Sequence, residues 1–541
     1  MSKANCRSKV FGLLALAWFA AAPAVGASPE AAGHEKRDGG FYKDVFDQVT
    51  YYESVNALHL DRLYRRVFSK KAGALNINRY DEVPDSTFFT NRHGREKLSA
   101  AELERGYAED GGPDLSGPLT VTGGKFEGAR PTFIVRDAKG GEYRLKFDPV
   151  DNFELVTSAE VIASRFYHAL GYFVPQTTIA VFDPFLLEIG EGARMWDDTG
   201  FRKKLTPERL QEALFFLPLD AEGNLRASAT KTLAGEDLGP FTFHGRRKSD
   251  PDDPVRHRRR REIRALSVFA SWLNNYDKRE SNTADRLIDG KIRHYLMDFD
   301  HALGSASDGP QPPMFGHEHL FDYGEMGKAI LTLGWREKPW QKRWREAGEK
   351  VSGSPAVGYF DNRRFSPADF KTQLPYYAFK DVTRADGFWA AKILMSFSDD
   401  DIRALVRAGQ FSAAADADSL VKILAERRDL IGRYWFSQAT PLDRFDVRGG
   451  QLRFEDLAVR YGFARSGETE YRAAVLRPSG EKMEKISEVV SREPSFALEP
   501  AWTEAGPVVL EIRSVDALGD ARPYVRVTLE AGKVRSVRHQ D

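Results

Sequence analysis

Cysteine is almost absent from this chain: 541 residues contain one, Cys6. It precedes the apolar stretch Val10–Ala22, whereas a lipid-bearing cysteine would follow such a stretch. A chain that loses this region has no disulfide, no thiolate metal site and no cysteine nucleophile. Net charge is absent too. Lys plus Arg and Asp plus Glu are both 79, which offers nothing for a general nucleic-acid binder. Beyond the N-terminus no apolar run is long enough to span a bilayer, and no internal repeat is visible. Two enzyme classes lack their signatures. There is no Gly-x-Ser-x-Gly elbow, and His317-Glu318-His319 spaces its histidines for one side of a strand, not for the helical zinc-protease pattern. Asp298 and Asp300 could serve a two-carboxylate hydrolase, but no separate acid partner is identifiable.

What is present begins with a leader. Lys3, Arg7 and Lys9 precede the apolar stretch, and small residues follow through Ala27, which predicts a cleaved signal peptide over 1–27 and a periplasmic or secreted protein. Residues 28–40 read as a disordered leader and 41–116 as an N-terminal extension. With 42% hydrophobic and 29% charged residues, the remainder can bury a large core in more than one domain.

The chemistry-bearing residues lie in the middle. Asp277 is followed five residues later by Asn282, and sixteen residues further on comes Asp298-Phe299-Asp300. A phosphotransfer site needs one carboxylate to orient or deprotonate the attacking hydroxyl, plus an amide oxygen and a second carboxylate to hold a metal. Upstream, residues 119–122, 132–135 and 142–147 read as strands joined by glycine turns. Gly123, Gly124, Lys125 and Gly128 would let backbone N–H groups approach a phosphate; an ordinary hairpin is the alternative. Lys146, near the end of the third strand, could reach donor phosphates. A helix opens at Thr157-Ser158-Ala159-Glu160 and stops at Gly171. Glu160 could pair with Lys146, or serve in first-turn capping. Residues 188–255 read as a polar insertion. The run Arg256–Arg261 reads as a solvated face, with steering of an anionic substrate as its alternative. Trp335, Trp340 and Trp344 read as packing of an irregular segment, with a carbohydrate-binding face as the alternative.

Glycine turn, strand lysine, helix glutamate, Asp-x-x-x-x-Asn and Asp-Phe-Asp, in this order, resemble the atypical kinase group of HipA-type toxins, phosphoinositide kinases, spore-coat CotH kinases and secretory-pathway casein kinases. Glu82-Val83-Pro84-Asp85-Ser86, Leu145 to Pro149 and Asp298 to Gly304 also resemble signatures of a family of exported bacterial proteins. The resemblance implies an α+β fold: a two-lobed kinase-like domain, with 117–187 as N-lobe and 256–438 as helical C-lobe. It implies Lys146 on the donor phosphates, Glu160 orienting it, and Asp277 as base. Asn282 and Asp298, with Asp300 as a possible addition, would coordinate Mg²⁺ or Mn²⁺, and ATP or another nucleotide would be the donor. A catalytically inactive kinase-like binding or scaffold protein is the alternative. The acceptor, whether protein, glycan or small molecule, and the oligomeric state stay open.

Before residue 438 the chain shows a helix over 399–406 and a long one lined by Leu420, Ile423, Leu424, Ile431 and Tyr434. After Pro441 the pattern alternates, with strands around 452–454, 471–476, 508–512 and 524–529 and no helical stretch, which predicts a β-sandwich-like domain over 441–541.

Overall fold

The structure is a computed structural model. It describes residues 35–52, 71–108, 110–126, 130–197, 200–347, 354–480, 482–504, 506–515 and 522–541. The expected signal peptide and Gly128 therefore lie outside the described residues.

The fold is mixed α/β with several sheets. The largest has seven strands: β1 (Leu119–Lys125), β2 (Thr132–Arg136), β3 (Glu142–Phe147), β4 (Thr177–Phe182), β5 (Leu187–Trp196), β6 (Arg202–Lys204) and β7 (Leu225–Lys231), in the order β4-β7-β3-β2-β1-β5-β6. Strand alternation sorts its side chains. Phe133, Val135, Tyr143, Leu145, Phe147, Ala193 and Met195 point to one face, where they form a core with Leu210, Ala213 and Leu217 from the region of a helix at Pro207–Phe215. Their neighbours in sequence point to the opposite face. Residues 188–255, expected as a polar insertion, supply β5, β6 and β7. In particular, β7 lies between β3 and β4. Local composition did not reveal this, because residues 225–229 of β7 are buried in succession, polar ones included, by partners far along the chain.

Helix α1 (Leu155–Leu170) packs against β3, β4 and β7. It begins two residues before the sequence suggested. The Asp148 carboxylate, just after β3, accepts the N–H groups of Val156 (2.8 Å) and Thr157 (2.9 Å), which otherwise lack partners at a helix start. Glu160 thus falls in the second turn and is buried, which removes the capping role. At the other end Gly171 (φ 123°) stops the helix, where a Cβ would come within 2.4 Å of Phe89.

Helix α2 (Arg261–Leu273) leads to Asp277, followed by the antiparallel pair β8 (Thr283–Ile288) and β9 (Lys291–Leu296). Asp289 and Gly290, both at positive φ, make their two-residue turn. Helices α3 (Arg384–Met395), α4 (Asp399–Arg407) and α5 (Ala414–Gln438) complete a second core, which includes Trp272, Trp389, Leu405 and Leu424. The expected helices over 399–406 and beyond Leu420 are both present.

Between Leu442 and His539, two antiparallel sheets of three and five strands share one hydrophobic core that includes Leu452, Val475, Leu510 and Val527. Two short helical segments, Leu457–Arg460 and Pro500–Glu504, interrupt the all-strand expectation. Asp456 holds the first by accepting the N–H of Ala458 at 2.9 Å.

Candidate active site

Two segments distant in sequence meet at the end of β3. The Phe173–Tyr295 bridge and the Leu296 N–H bond to the Phe173 carbonyl (2.9 Å) tie the exit of α1 to β9, and so bring Asp298 beside Glu160. Asp298 takes φ 58°, the left-handed conformation that Asp tolerates better than most residues. Asp298 and Asp300, on either side of Phe299, offer their carboxylates to one space.

Lys146 Nζ lies 3.1 Å from Glu160 Oε2, 2.5 Å from Asp298 Oδ1 and 3.2 Å from Asp300 Oδ2. The second Glu160 link is to backbone: Oε2 accepts the Phe299 N–H at 3.1 Å. Burial opposes charge on Lys146, but Asp298, Asp300 and Glu160 overcome it and raise its pKa. Burial pushes Glu160 up to about 7, against the pull of Lys146. Asp298 is held low despite burial, by Lys146 and its hydrogen bond with Asp300. One ammonium among three carboxylates leaves net negative charge when all are ionised. Glu160, Asp298 and Asp300 each offer an oxygen within 4.8 Å of the others, so the donor set fits a hard divalent cation such as Mg²⁺ or Mn²⁺.

Asp277 is nearly buried, and burial raises its pKa. Arg279 pairs with it at 3.1 Å, and the Asn282 amide donates to its carbonyl (2.9 Å) and to its Oδ2 (3.1 Å). Asn282 Oδ1 accepts from Arg279 Nε at 3.3 Å, so both ends of this amide serve Asp277 and its partner. The Met297 N–H donates to the Asn282 carbonyl at 2.9 Å, which links the two motifs through backbone. Asn282, expected as a metal ligand, is thus engaged elsewhere, and the three-carboxylate group contains Glu160 in its place.

Lys146, Asp277, Asp298 and Asp300 line one cleft of about 680 Å³, with Gly123, Gly124 and Lys125 at its sheet side. The glycines do not form a turn there. They lie inside β1 beyond a bulge at 121–123, and a Cβ on Gly124 would come 2.1 Å from the Thr132 carbonyl oxygen. Close strand approach, not phosphate approach, accounts for Gly124.

Several participants escaped sequence reasoning. Arg279 lies within the quoted motif, but nothing in its spacing signals the bridge. His301 lines the cleft and its Nε2 is 2.6 Å from Ser307 Oγ. Lys278 is buried, with its ammonium 4.7 Å from the Tyr167 ring centre and 4.6 Å from that of Phe299. Burial lowers its pKa to about 8, and Asp277 opposes that shift.

Elsewhere, the Arg256–Arg261 run is not one solvated face: Arg260 and Arg261 are buried and ion-paired, whereas Arg256 is exposed. Glu318 accepts from Trp340 Nε1 (2.7 Å), and Arg364 stacks on Trp344, whereas Trp335 is 91% exposed and does not pack. Among the described residues no helix is long and apolar enough to cross a membrane.

No protein-family model and no curated protein matches the chain. Solved structures similar in part include the following two. The crystal structure of a Helicobacter pylori proinflammatory kinase, CtkA, is 13% identical, covering 58% of this chain and 94% of that one with a TM-score of 0.30. The crystal structure of the golgi casein kinase is 9% identical, covering 72% and 90%, with a TM-score of 0.24. Likeness this distant does not decide what this chain is.

Proposed function

We propose that the cleft transfers a phosphoryl group from a metal-bound phosphate donor, such as ATP or another nucleotide, to an acceptor hydroxyl. The observation that carries this reading is the gathering of Glu160, Asp298 and Asp300 around Lys146, with Asp277 in the same cleft. A bound divalent cation would neutralise charge on the donor phosphates. Lys146 would bind donor oxygens, and Glu160 would hold its ammonium in place. Asp277, oriented by Arg279 and Asn282, would accept the hydroxyl proton as the acceptor oxygen bonds to phosphorus and the donor P–O bond breaks. Burial of Asp277 favours this role, since a raised pKa makes a stronger base.

The same reading includes a two-lobed, kinase-like domain and a C-terminal β-sandwich. The sheet with its cleft, the helical core beyond it, and two C-terminal sheets on one core support it. It also includes export, on the strength of the leader, which mass spectrometry of the mature N-terminus would test.

The experiment is incubation of the purified mature protein with Mg²⁺ or Mn²⁺ and γ-labelled nucleotide. Consumption or self-labelling is expected in the wild type, and loss of both in Asp277→Asn with unchanged circular dichroism. Undiminished labelling in that variant would remove Asp277 from its role. One observation favours a second reading, binding without turnover: Asn282 is turned onto Asp277 and Arg279, away from the carboxylate group. A nucleotide-dependent rise in melting temperature with no turnover in either metal would select it.

A further inference from the structure

The cleft face of the seven-stranded sheet carries cations that the phosphoryl-transfer reading does not use. Strand register lines them up in two rows. In the first, Lys146 pairs across to Thr132, Thr132 to Lys125, Lys125 to Trp196, and Trp196 to Arg202. In the second, Arg144 pairs to Ile134, Ile134 to Gly123, Gly123 to Arg194, and Arg194 to Lys204. Four strand spacings of about 4.8 Å make each row about 19 Å long. Cross-strand partners share a face, and residues two apart on one strand do too, so both rows face the same way.

Most of these cations have no anion. Lys125, Arg144 and Arg194 are exposed and make no ion pair or hydrogen bond among the described residues, and Arg202 only lies over the Trp196 ring, 5.6 Å from its centre. Like charges on neighbouring strands repel, and Arg194 directly faces Lys204. The acid nearest to the rows on this face, Glu142, two residues before Arg144, pairs instead with Arg136 at 3.9 Å. Holding a terminal phosphate uses Lys146 alone. The rest of the row runs away from the carboxylates without the apolar enclosure that a purine base needs, since Ile134 and Trp196 are its main apolar side chains.

We propose that the cleft binds a linear polyphosphate chain along these rows, with its terminal phosphate at the Lys146 end. Binding depends only on the cation rows. The further step, in which that chain is the phosphoryl donor, rests on the proposed function: the terminal P–O–P bond breaks, the acceptor oxygen bonds to the released phosphorus, Asp277 takes the hydroxyl proton, and the chain leaves one phosphate shorter.

Binding is measured by calorimetry with Mg²⁺ present, using long-chain inorganic polyphosphate, tripolyphosphate, ATP and a single-stranded oligonucleotide as probes. Polyphosphate should bind at least about tenfold more tightly than tripolyphosphate or ATP, with an affinity that falls steeply as salt rises. Arg144→Gln combined with Arg194→Gln should weaken polyphosphate about tenfold or more and shift tripolyphosphate much less. Both arginines are exposed and have no ion pair or hydrogen bond among the described residues, so an unchanged melting temperature is expected and separates lost binding from lost fold. Equal affinity for all phosphate probes, or no effect of the double variant, would overturn the proposal. Tighter binding of the oligonucleotide would overturn it as well, in favour of base stacking on Trp196. Tight, variant-sensitive polyphosphate binding without turnover would uphold this site and remove the phosphoryl-transfer reading.

Discussion

Around Lys146 one ammonium faces three carboxylates, whereas around Asp386 two guanidiniums share one carboxylate and one of them reaches a second. Arg261 Nε and Arg264 Nη1 bind Asp386 at 3.1 and 2.9 Å, and Arg261 Nη2 binds Asp81 at 3.0 Å. The second cluster is buried, and only Arg538, which reaches Asp81 at 3.2 Å, extends it towards the surface. Asp386 also accepts the Thr383 N–H at 3.1 Å, and Asp81 accepts the His539 N–H at 3.1 Å, which joins the last strand to the helical core. These four side chains carry equal positive and negative charge and are almost wholly buried. The cluster at Lys146 is neither balanced nor sealed: Asp298 keeps 31% of its side chain exposed. Charge that is balanced and buried holds elements together, while charge left in excess beside an open cleft has chemistry still to do.

The largest test of this contrast is catalytic. Asp277→Asn should lower turnover by about 10²–10⁴-fold while stability moves by less than about 1 kcal/mol, read from initial rates and urea unfolding of the same sample. At the balanced cluster the pattern should reverse. Asp386→Ala leaves two buried guanidiniums short of a partner and should cost about 3–5 kcal/mol of unfolding free energy, with activity per folded molecule retained. An Asp386→Ala protein that keeps its stability but stops turnover would break the comparison.

Glu160 gives a smaller, pH-dependent effect. Its pKa rises from 4.5 to about 7 on folding, so the unfolded chain releases this proton first as pH rises. The folded state is therefore favoured below pH 4.5, and that advantage is lost as pH climbs to about 7. The size is on the order of 1–3 kcal/mol, and Glu160→Gln should flatten the slope over that window in a series of urea melts. Two neighbouring glycines should differ, and the smallest effect of all is at Gly123. Gly124→Ala should destabilise by about 1–3 kcal/mol, because its Cβ meets the Thr132 carbonyl at 2.1 Å and its φ of 151° strains an L-residue. Gly123→Ala, with its nearest contact at 3.4 Å, should change the melting temperature little.

Much of the secondary structure was legible. Strand-like runs between glycine turns marked β1 to β3, and Gly171 marked the end of α1. The order of Lys146, Glu160, Asp277 and Asp298 was equally readable, because those residue types are costly to bury without partners. Gly123 and Gly124 left two readings open since a glycine serves a turn and a close strand approach alike, and only the position of Thr132 places Gly124 in a close strand approach. Arg260 and Arg261 were misread since their anions, Asp253, Asp81 and Asp386, lie at distances along the chain that no local pattern records.

The sequence by itself determined which segments could form strands and helices, and which titratable residues were available in what order, because backbone propensity and side-chain period act over a few residues. Only the tertiary structure decided which charges were neutralised. Whether Lys146 meets three acids, Arg261 meets two, or Arg144 meets none depends on strand order and register, and those are fixed by packing between residues far apart in the chain.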